Sequence, residues 1–64
     1  MNDSWLDRVI TELADRREGI AAAAVQGSAK SFEEYKDMCG EIRGLSFAHE
    51  LLTDLVRKLE ISDE

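Results

Sequence analysis

His49 and Cys39 are the side chains best suited to chemistry. One could be a base or metal ligand, the other a nucleophilic thiol. Each type occurs once in 64 residues. A nucleophilic cysteine needs a base within hydrogen-bond reach, and on a helix these two stand nearly three turns apart. His49 has Glu50 and Thr53 as polar neighbours, but no second His to share a metal. No glycine-rich phosphate loop, triad or metal-ligand spacing is present. The pairs Glu33-Glu34 and Asp63-Glu64 read as solvated acids, and Asp15-Arg16-Arg17-Glu18 as a charged outer face. Arg17 alone of that cluster falls on an apolar track, placed to pair with Glu41. The sequence therefore predicts no catalytic residue, no cofactor, no metal site and no enzyme. His49 and Arg17 read as polar residues that set register and specificity, with a pH-sensitive interface role open to His49.

The elements that would position these residues belong to a single domain over 1–64 with short frayed termini. So short a chain seldom stabilises itself by one core, and the usual supports are disulfides, a metal or association. One Cys makes no internal disulfide, which leaves association. Net charge is −6, with 8 Lys and Arg against 14 Asp and Glu. A nucleic-acid binder must neutralise phosphates with a basic face, and here the basic residues are scattered among acids. An anionic membrane surface would repel the chain, and no apolar run approaches the roughly 20 residues of a span. Met-Asn-Asp-Ser-Trp lacks the basic and apolar regions of a signal peptide. These features predict a soluble chain made in the cytoplasm, with no nucleic acid and no membrane as partner.

The fold expected is all-α, an antiparallel two-helix hairpin over about 5–26 and 32–60. Without proline, no ring geometry stops a helix. Two capping boxes mark the starts: Ser4 to Asp7, and Ser31 to Glu34. In each, the Ser hydroxyl accepts the third residue's N–H while the acid reaches back to the Ser N–H. Leu6, Val9, Ile10, Leu13, Ile20 and Ala24 recur by threes and fours on the first helix, and Gly27 is its stop. On the second, Tyr35, Met38, Ile42, Leu45, His49, Leu52, Val56 and Leu59 alternate steps of three and four, a coiled-coil pattern. Ser62-Asp63-Glu64 reads as a frayed tail. The short link makes the helices antiparallel neighbours. Residues whose numbers add to about 59 then share a level, so Ile20 faces Met38 or Cys39 and Ile10 faces His49.

A hairpin has one internal seam, and the second helix has more apolar surface than that seam can use. Gly40, Gly44, Ala48, Leu51 and Leu55 form a further stripe with Phe47 beside it, and Trp5 adds a large apolar group on the first helix. Exposed patches of this kind mark contact surfaces. Gly40 and Gly44, each costing roughly 1 kcal/mol inside a helix, leave a strip where another backbone can come close. The sequence leaves open which of the two stripes, heptad or glycine, meets another chain, how many copies assemble, and whether the second helix swaps between chains. The hairpin is expected to join a helical bundle or to dock on a larger partner.

The segment Tyr35-Lys-Asp-Met-Cys39-Gly40-Glu-Ile42-Arg43-Gly44-Leu45 resembles a stretch, Tyr-x-x-x-Cys-Gly-x-Ile-x-Gly-Leu, of short helical proteins encoded among the head and packaging genes of tailed bacteriophages. Asp3-Ser4-Trp5-Leu6 and the acidic end are similar too, and because those proteins are about this long the resemblance would cover most of the chain. It implies a non-enzymatic virion or head-assembly component whose partners are itself, a phage portal or a capsid protein. It carries no catalytic residues. A small acidic regulator that binds and inhibits a host protein is the alternative. It would need acids gathered on one face, whereas here they surround both helices.

Overall fold

The computed structural model describes residues 5–62, and side-chain surroundings for 5–60. Helix α1 runs Trp5–Val25 and helix α2 Phe32–Ser62, packed side by side as an antiparallel hairpin 50 Å long and 13–17 Å across. The all-α hairpin expected from the sequence is the fold observed.

The turn follows from a few backbone groups. Gly27 has φ of 83°, a left-handed conformation that costs glycine nothing and side-chain-bearing residues about 1–2 kcal/mol. The Gly27 N–H then donates to Ala24 O at 3.1 Å and the Ser28 N–H to Ala23 O at 3.0 Å. These are the two reversed bonds of a Schellman stop. The Ser28 hydroxyl adds a third donor to the end, reaching Ala23 O at 2.8 Å.

Ser31 opens α2. Its Oγ accepts the Glu34 N–H at 3.1 Å, as a capping serine should. The other half of the expected box is corrected: Glu34 Oε1 accepts the Lys30 N–H at 2.8 Å, not that of Ser31. Both N–H groups lie at the helix start, and glutamate has the length to reach the farther one. Glu33 and Glu34 in the first turn also oppose the helix dipole. The helix continues to Ser62, slightly beyond the expected end, so Ser62 is helical rather than part of a tail. Ser4, the cap expected for α1, and the tail residues Asp63 and Glu64 lie outside the described residues.

The heptad stripe of α2 is the seam with α1. Met38, Ile42, Leu45, His49, Leu52 and Val56 are all half-buried, as are Leu6, Ile10, Leu13, Ile20 and Ala24 across from them. The end members of the stripe, Tyr35 and Leu59, are exposed. Ile20 and Met38 line one shallow groove, which confirms the register read from the short link. Yet among the described residues no side chain is fully buried. Two helices touching along one line leave every seam residue open on a flank.

Candidate functional site

Position on α2 decides what remains uncovered. A helix turns about 100° per residue, so Gly40, Gly44, Leu51 and Leu55 face away from the seam at Ile42, His49 and Val56. Phe47 is 70% exposed, Leu51 53% and Leu55 44%. Gly40 and Gly44 are exposed as well, and a Cβ built on either meets nothing within 4 Å. No contact inside the hairpin therefore explains either glycine. Ala48 differs: it is half-buried, at the edge between the outer face and the seam.

The patch continues onto α1. Arg16 Nη2 meets Glu41 Oε2 at 3.6 Å across the seam, which fixes the flanks that adjoin. Trp5 and Val9 share the Arg16 flank of α1 by helical spacing, while Ala48 and Leu55 follow Glu41 at intervals of seven. Trp5 is 75% exposed, and an open groove runs along α1 between Trp5, Val9 and Glu12. Leu59, expected on the heptad seam, is instead exposed and adds to the apolar set at the open end.

The polar residues singled out from sequence divide differently. Arg17 is half-buried on the seam, as its track implied. Its expected pairing with Glu41 is corrected: Glu41 goes to Arg16, and Arg17 Nη1 donates to Ser46 Oγ at 3.4 Å. Glu41 precedes the seam position Ile42 by one residue, hence about 100° of turn, so it meets the flank arginine rather than the seam arginine. The Arg16–Glu41 pair is solvent-exposed on both sides, and such pairs contribute at most about 1 kcal/mol. His49 is half-buried, and its carbonyl accepts the Thr53 hydroxyl at 2.7 Å.

Cys39 is half-buried beside Tyr35, one turn earlier. A hydrogen bond with the Cys39 side chain, helped by the repulsion of the two anions, raises the Tyr35 phenol above its ordinary pKa of 10.0. Sequence reasoning missed this pair, although the i, i+4 spacing signals it. Among the described residues no group of three or more His, Cys, Asp or Glu side chains is placed to hold a metal. No helix there is long and apolar enough to cross a membrane.

What the arrangement offers chemically is apolar area with two gaps in it, rimmed by charge. Comparison with protein-family models, curated proteins and solved structures found no match for this chain.

Proposed function

We propose that this chain is a non-enzymatic interaction protein that works by having the outer face of α2 covered, and that it serves as a small virion or head-assembly component of a tailed phage. The carrying observation is that Phe47, Leu51 and Leu55 stand in solvent on a hairpin with no fully buried residue among those described. Burying a Leu or Phe completely stabilises by about 1.5–3 kcal/mol, and here that stabilisation is left to a neighbour. Charge on the other faces keeps so small a chain dispersed. The resemblance of Tyr35 to Leu45 to short phage proteins supports the setting and the choice of partner, either the chain itself or a portal or capsid protein.

The test is mass spectrometry of purified particles from the source phage beside affinity capture from infected cells. The proposal expects the chain in particles at a fixed ratio to a head protein. Its absence from particles, with stoichiometric capture of one host protein instead, would establish the regulator reading.

A further inference from the structure

We infer that the partner on this face is a second copy of the chain, joined α2 to α2′ antiparallel about a two-fold axis near Phe47 and Ala48. The inference rests on the reading above, that the face is covered, and adds what covers it.

The face is self-complementary in one register. For two antiparallel helices crossing between Phe47 and Ala48, residues whose numbers add to about 95 stand opposite one another. Gly40 then faces Leu55′ and Gly44 faces Leu51′. Both leucines are exposed, and the space above both glycines is open. Each leucine fills the gap that a glycine leaves, twice over by symmetry. This is the size matching that lets helix surfaces interlock.

Charge agrees with size. The same register sets Asp37 against Lys58′. It also brings Arg43 to the level and flank of Asp54′. Asp37 and Arg43 have no ion-pair partner among the described residues, while Asp54 meets Arg57 of its own helix at 3.6 Å. A parallel pairing reverses both terms. Equal numbers would meet, so Asp37 would face Asp37′ and Lys58 would face Lys58′, and no leucine would stand over a glycine. Since α1 covers the opposite side of α2, it leaves this approach clear.

Sedimentation equilibrium of the full chain, combined with cysteine cross-linking in a Cys39→Ser background, tests this. The proposal expects a dimer. Ala48→Cys should cross-link to itself, Leu55→Cys alone should not, and Gly40→Cys/Leu55→Cys should cross-link between chains. Gly40 and Leu55 are exposed, and at half-buried Ala48 the substitution adds a single sulfur atom, so the hairpin stays folded. A dimer in which Leu55→Cys alone cross-links is parallel and overturns the inference, as does a dimer in which none of the three does. A monomer with weak, concentration-independent helicity overturns the self-pairing but leaves a covered face, with some other protein as partner. A cooperative, heat-stable monomer overturns both.

Discussion

Gly44→Leu separates the stability of the hairpin from its association, because the two should move in opposite directions. In the single chain Gly44 sits in an exposed helix interior with nothing within 4 Å of a built Cβ. Replacing such a glycine with a good helix former stabilises by about 1 kcal/mol, which for a domain of this size raises the melting midpoint by about 4–8 °C. The covered state responds oppositely. Leu51, 53% exposed in the single chain, loses the gap that it would fill. If full burial of a leucine stabilises by about 1.5–3 kcal/mol, the uncovered half accounts for roughly 0.8–1.5 kcal/mol. Two symmetric contacts then total about 1.5–3 kcal/mol, a weakening of roughly 10- to 150-fold in Kd. Circular dichroism melts and sedimentation velocity over a dilution series read both quantities. Gly19→Ala is the matched control, since its Cβ is equally unobstructed and it lies on α1 away from the outer face of α2. It should raise the midpoint and leave association untouched. Unchanged association of Gly44→Leu would refute the reasoning.

Other expected outcomes follow from the local geometry. Ser31→Ala removes the acceptor of the Glu34 N–H and should destabilise the hairpin by about 1 kcal/mol, read by thermal melts. Arg17→Leu replaces a half-buried charge held by one long bond of 3.4 Å with apolar volume on the seam. It should leave stability unchanged or raise it, and a loss above about 1 kcal/mol would show that the Ser46 contact matters more than its length suggests. Tyr35 is the one tyrosine, so tyrosinate absorbance reports it alone. Its titration should be centred above 10.0, and Cys39→Ala should lower it towards that value. The sign follows from linkage: the folded chain holds the phenolic proton more tightly, so stability is retained below the ordinary phenol pKa and falls as pH rises through the raised one.

The sequence made the fold legible where local chemistry decides it. Gly27 marked a stop because only glycine takes positive φ without strain, and Ser31 marked a start because a hydroxyl there finds an unpaired N–H. The unbroken threes and fours from Tyr35 to Leu59 showed that α2 is one long helix carrying a coiled-coil stripe. What escaped were choices between neighbouring residues. Arg16 and Arg17 are equally charged and adjacent. The apolar track puts Arg17 on the seam, but the acid waits on the flank, where Arg16 is. Glu34 reached one residue past its expected partner because side-chain length, not type, decides that contact. The competition between heptad and glycine stripes was undecidable from period alone, since both recur at helical spacing. The bulk of Met38, Ile42 and Leu45 facing α1 settles it within the single chain.

The central claim, that this hairpin is completed by a neighbour, is tested most directly by helicity and melting midpoint measured against chain concentration, together with sedimentation at each point. The account predicts that helicity and midpoint rise with concentration as the outer face of α2 becomes covered. A sharp, high-temperature transition independent of concentration, with the chain sedimenting as one copy throughout, would contradict it.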